Sequence, residues 1–218
     1  MENKKIAEKM VDVWDNKAPS KGRHCENTNV PALNQFYDLH MLPDCVDFKG
    51  KVVVNYGCGG GWLEKKLFQE YDIKKSISFD ISHKSVAFAA ENLADYNAEV
   101  KLIEPWEMMK SVARRKKDIF MSCECIQHFP TEEYFDSWLK MLNRQKYEWI
   151  ILHYKIIDKK KVKKTQFREN IYATLIDSNR ACITETKFLE DRLTNYELVE
   201  VVPNKIKALR EASYWRLK

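Results

Sequence analysis

Apolar and polar stretches alternate along the chain in a way that predicts alternating strands and helices. Five apolar runs have the length of strands, at residues 51–56, 76–81, 100–103, 118–123 and 147–154. Several segments between them place apolar residues three or four positions apart, which is typical of amphipathic helices. This rhythm predicts an α/β fold, doubly wound around a mostly parallel sheet with helices on both faces.

The two ends of the chain break this rhythm. Near the C-terminus, residues 196–202 and 212–217 are strand-like runs joined by a short connection, which predicts an antiparallel hairpin and a seven-stranded sheet. At the N-terminus, residues 1–48 contain helical spacing interrupted by a turn-rich stretch. We expect this region to be a helical cap or lid over the core that follows.

Glycine is concentrated at the end of the first strand, in the sequence VVVNYGCGGGW at residues 52–62. The chain has six glycines, and four of them are Gly57, Gly59, Gly60 and Gly61. A turn of this kind lies outside the carboxyl end of a parallel strand, where ligands of such sheets bind. Because glycine also allows a ligand to approach the backbone closely, we predict a ligand site at this turn.

The spacing of these glycines narrows the class of ligand. Dinucleotide sites have the pattern G-x-G-x-x-G, whereas here Trp62 takes the third position and the pattern is G-x-G-x-G. About twenty residues later Asp80 ends the second strand, where a carboxylate can accept hydrogen bonds from both hydroxyls of a ribose. Together these features predict a nucleoside-containing cofactor.

Several segments resemble motifs of the class I S-adenosylmethionine (SAM)-dependent methyltransferases. VVVNYGCGGGW resembles the first motif of that family, and SFDISHKSVAFAAEN resembles the second. DIFMSCECIQHFPTEEYFDSWL and TETKFLEDRLTNYELVEVV are similar to its fourth-strand region and its penultimate helix and strand. The resemblance runs from about residue 50 to the end. It implies a SAM-dependent methyltransferase domain at 49–218, with an acceptor-recognition insertion at 155–183.

The resemblance also implies which residues contact SAM. They are Tyr56, Gly57, Cys58, Gly59 and Gly61 in the turn, Asp80 and Ile81 after the second strand, Glu104 and Trp106 after the third, and Cys123 and Glu124 after the fourth. Asp80 would hold the ribose hydroxyls and Ile81 would pack on adenine. One position departs from the family, because Asn55 stands where an acidic residue usually precedes the first glycine. Asn keeps an acceptor but loses the charge that favours the SAM ammonium group.

Histidines at the ends of the fourth and fifth strands are candidates for the general base. His128 is the first candidate and His153 the second, and a positioned base accelerates proton removal by roughly 10²–10⁴-fold. His128 is equally well explained as a helix-entry histidine bonded to the backbone. The residues expected to bind the acceptor are Trp14, His24, Tyr37 and Tyr154.

The charge pattern bears on the acceptor. A net charge of +5 is mild for a nucleic-acid-binding protein. The basic runs at 114–117 and 159–164 either attract a phosphate-bearing or otherwise anionic acceptor or are solvated loops. Methyltransferases that act on nucleic-acid bases have an Asp/Asn-Pro-Pro-aromatic stretch or a Pro-Cys pair after the fourth strand, and SCECIQHFP has neither. Their absence favours a hydroxyl or amine of a small molecule as the methyl acceptor. An RNA- or nucleotide-directed enzyme and a non-catalytic partner subunit remain alternatives, whereas Trp62 disfavours an NAD-dependent oxidoreductase.

The cysteines predict neither a metal site nor a disulfide framework. The six cysteines include no Cys-x-x-Cys pair, so free thiols in a reducing compartment are expected. The first residues, MENKKIAEKM, lack the apolar core of a signal peptide, and no apolar run approaches the ~20 residues of a membrane span. These features predict a cytoplasmic protein that does not insert into a membrane.

Overall fold

The computed structural model of the chain describes residues 10–12, 14–15, 44–104, 118–126, 129, 132–155, 187–203 and 210–218. The strands in these ranges are β1 (Val52–Tyr56), β2 (Lys75–Asp80), β3 (Ala98–Leu102), β4 (Ile119–Cys123), β5 (Trp149–Lys155), β6 (Tyr196–Pro203) and β7 (Arg210–Leu217). The helices are α1 (Trp62–Tyr71), α2 (His83–Asn92), α3 (Glu132–Arg144) and α4 (Lys187–Glu190). The described strands form one sheet in the order β3-β2-β1-β4-β5-β7-β6.

The sheet is parallel except at its C-terminal edge. β1 pairs in parallel with both β2 and β4, and β3 and β5 extend the parallel part on either side. β7 is antiparallel to both β5 and β6. The predicted seven-stranded, mostly parallel sheet with a C-terminal hairpin is therefore confirmed. The strand ends differ from the predicted ones by one or two residues, which is the usual uncertainty of such boundaries.

The core consists of two apolar layers, one on each face of the sheet. Successive strand residues such as Val53 and Val54 face opposite layers. α1 covers the layer that contains Val53, whereas α3 covers the layer that contains Val54. α3 has fully buried side chains at positions i, i+3, i+4 and i+7, namely Phe135, Trp138, Leu139 and Leu142. Burying each such side chain stabilises the fold by roughly 1.5–3 kcal/mol.

The strand order places a crevice at the carboxyl ends of β1 and β4. The connection after β1 leads to β2 on one side, whereas β4 lies on the other, so the direction of winding reverses between them. Open α/β sheets bind their ligands at such a reversal. The glycine turn after β1 therefore occupies the position that sequence spacing alone indicated.

Parts of two predicted regions fall outside the described residues. Of the predicted cap at 1–48, the structure describes helical residues 10–12 and 14–15 and the approach to β1 from residue 44. Of the predicted insertion at 155–183, it describes the end of β5. None of the described helices has the length and apolar character needed to cross a bilayer.

Candidate functional site

The glycine turn folds back onto the end of β2. Gly57, Gly59 and Gly61 all have left-handed backbone angles, with φ values of 80°, 54° and 75°. The Gly57 N–H donates to the carbonyl oxygen of Phe79 at 2.8 Å. A Cβ at Gly57 would lie 2.5 Å from the sulfur of Cys125, whereas no described atom lies within 4 Å of a Cβ at Gly59. Gly57 is thus required for packing, and Gly59 borders open space that a ligand can enter.

Asp80 ties this turn to the start of α2. One of its carboxylate oxygens accepts a hydrogen bond from the Gly59 N–H and the other accepts one from the Ser82 N–H, both at 2.9 Å. Burial raises the pKa of Asp80, although these bonds and one from the Ile81 N–H favour the charged form. The residue is half-buried, so its carboxylate can also accept a hydrogen bond from a ligand.

A pocket of about 240 Å³ lies beside Asp80, at the carboxyl ends of β2 and β3. It is lined by Val11, Asp12, Ile81, His83, Leu102, Ile103 and Glu104. The structure therefore brings together Ile81 and Glu104, two of the residues predicted to contact the cofactor. The pocket is smaller than the 300–1,000 Å³ typical of whole-ligand sites, and it suits one aromatic base rather than a complete cofactor.

The N-terminal segment docks next to this pocket through Asp15. The Ser82 hydroxyl donates to Asp15 at 2.7 Å and also accepts from the Ser85 N–H at 3.1 Å, so Ser82 caps α2. Burial opposes ionisation of Asp15, but the hydrogen bonds from Ser82, Lys84 and His83 outweigh it and lower the pKa. A carboxylate at a helix N-terminus is favourable. Trp14, a predicted acceptor-binding residue, is half-buried in the same segment.

A buried polar cluster lies beneath the glycine turn. Oε1 of Glu64 accepts hydrogen bonds from Asn55 Nδ2 at 2.8 Å and from the Ser78 hydroxyl at 2.7 Å. Burial raises the pKa of Glu64, and the two bonds partly oppose that shift. Glu64 belongs to none of the motifs recognised in the sequence. The available signal was Asn55 itself, since a polar side chain in a buried strand requires a partner on the element that covers it.

The ends of β4 and β5 bring two further predicted residues together. Oε1 of Glu124 lies 2.9 Å from Nδ1 of His153, and the Glu124 N–H donates to the His153 carbonyl oxygen. Glu124 has a left-handed φ of 54°, which is uncommon outside glycine and often marks a functional position. The His153 side chain is fully buried. Burial also raises the pKa of the neighbouring Cys123, so that its thiol stays protonated at neutral pH.

The remaining predicted residues divide into two groups. Tyr56 and Tyr154 are buried in the layer covered by α3, where the Tyr56 ring lies 5.7 Å from that of Trp138. Cys58 is buried in the glycine turn itself. Outside the described residues lie His24, Tyr37, Trp106 and His128, together with the basic runs at 114–117 and 159–164. In the part of the chain that the structure describes, no three His, Cys, Asp or Glu side chains are grouped to hold a metal ion.

Comparison with known proteins identifies the fold. No family model matches the chain, and no curated protein matches its sequence. A SAM-dependent methyltransferase from Anabaena variabilis ATCC 29413 matches with a TM-score of 0.59 and 14% identity, over 98% of this chain and 95% of that one. An O-methyltransferase family 2 protein from Planctomyces limnophilus DSM 3776, solved with apigenin, has a TM-score of 0.62 and 13% identity, over 100% and 62% of the two chains. The chain has the class I SAM-dependent methyltransferase fold.

This methyltransferase fold does not by itself determine the reaction. A Rhodobacter sphaeroides protein described as a zinc-dependent alcohol dehydrogenase also matches, with a TM-score of 0.61 and 11% identity over 99% and 98% of the two chains. Several other matched chains are longer, and this chain spans about half of their length, 51% and 55% in two cases. The function therefore has to be argued from the site.

Proposed function

We propose that the protein is a SAM-dependent methyltransferase that acts on a hydroxyl or amine of a small-molecule acceptor. The contact between Asp80 and Gly59 carries this proposal, because it joins the glycine turn to a carboxylate at the ribose position. The pocket at Ile81 and Glu104 suits adenine, and the open space at Gly59 leaves room for the rest of the cofactor. The described residues thus fit SAM along one edge of the sheet.

SAM, when bound, supplies a methyl group already activated on a sulfonium. The protein then has to hold the acceptor in line with that group, exclude water and remove the acceptor's proton. Oε1 of Glu124 lies 2.9 Å from Nδ1 of His153, and a carboxylate there favours a proton on Nδ1, which would leave Nε2 as the basic nitrogen. We propose that His153 acts as the base and that Glu124 orients it. His128 remains the other predicted base.

The proposed size of the methyl acceptor is supported by a structural neighbour, and its proposed charge is supported by the sequence. The Planctomyces limnophilus neighbour is an O-methyltransferase solved with apigenin, which supports a small hydroxyl-bearing acceptor. The basic runs at 114–117 and 159–164 support an anionic one. The same runs keep an RNA- or nucleotide-directed enzyme as the second candidate. Retention of RNA that weakens steeply with salt would favour that candidate.

The proposed cofactor site is tested by titrating SAM calorimetrically into the wild-type protein and the Asp80→Asn variant. Asn keeps the size of Asp80 but loses the charge that strengthens its hydrogen bonds, so we expect SAM affinity to fall at least about tenfold. Asp95→Asn is the matched control, because Asp95 is exposed beyond α2. Absence of SAM binding by the wild-type protein contradicts the proposed function, and an unchanged affinity in Asp80→Asn removes Asp80 from the site.

A further inference from the structure

Two buried acceptor atoms beneath the glycine turn lack a donor within the described residues. They are Oε2 of Glu64 and Oδ1 of Asn55. Glu64 is 0% exposed and Asn55 is 2% exposed, so bulk water does not satisfy them. Oε1 of Glu64 is already occupied by Asn55 Nδ2 and by the Ser78 hydroxyl. Because buried polar atoms are normally paired, these two acceptors point to a donor that the described residues do not supply.

The location of these acceptors indicates which part of a cofactor they would meet. Asn55 is two residues before Gly57, at the end of β1. Burial raises the pKa of both Cys58 and Cys123, and repulsion from the Glu64 carboxylate raises each further, which places that carboxyl group close to the turn and to the end of β4. The base-sized pocket lies at the carboxyl ends of β2 and β3, and neither Asn55 nor Glu64 lines it. The two acceptors therefore lie toward the end of the cofactor opposite adenine.

We propose that Glu64 supplies the negative charge that holds the ammonium group at the amino-acid end of SAM. This inference rests on the proposed function. Asn55 of β1 stands where the family that the sequence resembles has an acidic residue. In this chain the carboxyl group is instead that of Glu64, on the covering helix α1. An ammonium group has three donors, enough for the two open acceptors, reached directly or through a bridging water.

The hydrogen bond between Asn55 and Glu64 sets the orientation of the acceptor that faces the cofactor. Asn55 Nδ2 donates to Glu64, which fixes the amide so that Oδ1 is its free acceptor. The charge behind the amide then attracts a cation in a poorly solvated environment, where electrostatic interactions are stronger than in water. Burial raises the pKa of Glu64, and an ammonium group nearby favours the ionised form. Cofactor binding and ionisation of Glu64 therefore support each other.

Two nucleosides separate this role from adenosine recognition. S-adenosylhomocysteine carries the ammonium group, whereas 5′-methylthioadenosine keeps the adenosine and sulfur but has no amino-acid end. By calorimetry, Glu64→Gln should bind S-adenosylhomocysteine about tenfold more weakly than the wild type and 5′-methylthioadenosine within about twofold. Glu70→Gln, on the exposed side of the same helix, should change neither affinity.

A charge-exchange variant distinguishes loss of the charge from loss of folding. Asn55→Asp combined with Glu64→Gln returns the carboxyl to the strand, and it should recover S-adenosylhomocysteine affinity to within about threefold of wild type. Equal effects of Glu64→Gln on both nucleosides, or no recovery in the folded double variant, overturn the inference alone. If the wild type binds neither nucleoside, the proposed function fails and this inference fails with it.

Discussion

Single residues at the carboxyl edge of the sheet each make more than one contact, so that they stabilise the fold and also shape the candidate site. Asp80 holds the glycine turn through Gly59 and still presents a carboxylate to the crevice. Ser82 caps α2 and also holds Asp15 of the N-terminal segment. Substituting such residues changes both folding and binding, so a useful test at this scale must separate the two effects.

The proposed base His153 permits that separation, because a base affects turnover and not cofactor affinity. The Gln amide can donate to Glu124 but cannot take up the proton of the methyl acceptor. We expect His153→Gln to lower the rate of methyl transfer by roughly 10²-fold or more and to leave SAM affinity within about threefold. The rate is measured as transfer of labelled methyl groups to acceptors found by screening phenols and amines.

The pH profile distinguishes a base from a residue that only supports the fold. A base that takes the acceptor's proton gives the wild-type rate a pH dependence, and that dependence should be absent in His153→Gln. Circular dichroism confirms that the variant is folded. Full turnover in folded His153→Gln removes His153 as the base and leaves His128 as the candidate.

At the scale of elements, the strands were predictable and one helix was not. Buried parallel strands appear as uninterrupted apolar runs, so their positions follow from hydrophobicity. The extent of α4 (Lys187–Glu190) does not follow from the local sequence spacing. There Arg192 packs over the Phe188 ring at 3.7 Å and pairs with Asp136 of α3. That last contact depends on tertiary packing, which local spacing does not contain.

The glycine turn is the element on which the site depends most, and its glycines should differ in effect. Gly59→Ala places a side chain at a left-handed φ, which costs about 1–2 kcal/mol of unfolding free energy. Because its Cβ enters the ligand's space, SAM affinity should also fall, by about tenfold. Gly57→Ala should lose more stability than Gly59→Ala, since its Cβ also collides with Cys125. Urea unfolding and calorimetry measure the two effects.

The collision can be checked by removing the side chain that causes it. Gly57→Ala combined with Cys125→Gly should lose less stability than the sum of the two single variants. Strict additivity, or a larger loss of stability in Gly59→Ala than in Gly57→Ala, contradicts this account of the turn.

At the scale of the whole molecule, the fold and the places of the candidate site residues along the sheet edge followed from sequence, whereas the partners of those residues did not. Motif spacing located the glycine turn, Asp80, Ile81 and Glu104, because these residues follow successive strands. The contact between Asp15 and Ser82 joins residues 67 positions apart. Such pairs arise only when the chain folds. The sequence therefore does not show which partners the buried ionisable side chains find, nor how those partners affect stability.

Buried ionisable side chains should make the global stability depend on pH. Burial raises the folded-state pKa of Glu64 above its ordinary 4.5, so the folded protein holds this proton more tightly than the unfolded chain. Between those two pKa values the folded state binds more protons, and the free energy of unfolding falls as pH rises. Asp80, with its pKa also raised, contributes in the same direction. Glu64→Gln should lack the first contribution.

The comparison of wild type with Glu64→Gln isolates this one carboxyl group. Urea unfolding at about pH 4 and about pH 8 should show the variant gaining on the wild type by about 1.4 kcal/mol for each unit by which the pKa is raised. Below pH 4.5 the group is protonated in both states and this difference should be constant. A difference between the two proteins that does not change with pH would mean that Glu64 is ionised in the folded state without cost. Glu64 would then store no electrostatic free energy for a cationic cofactor to relieve.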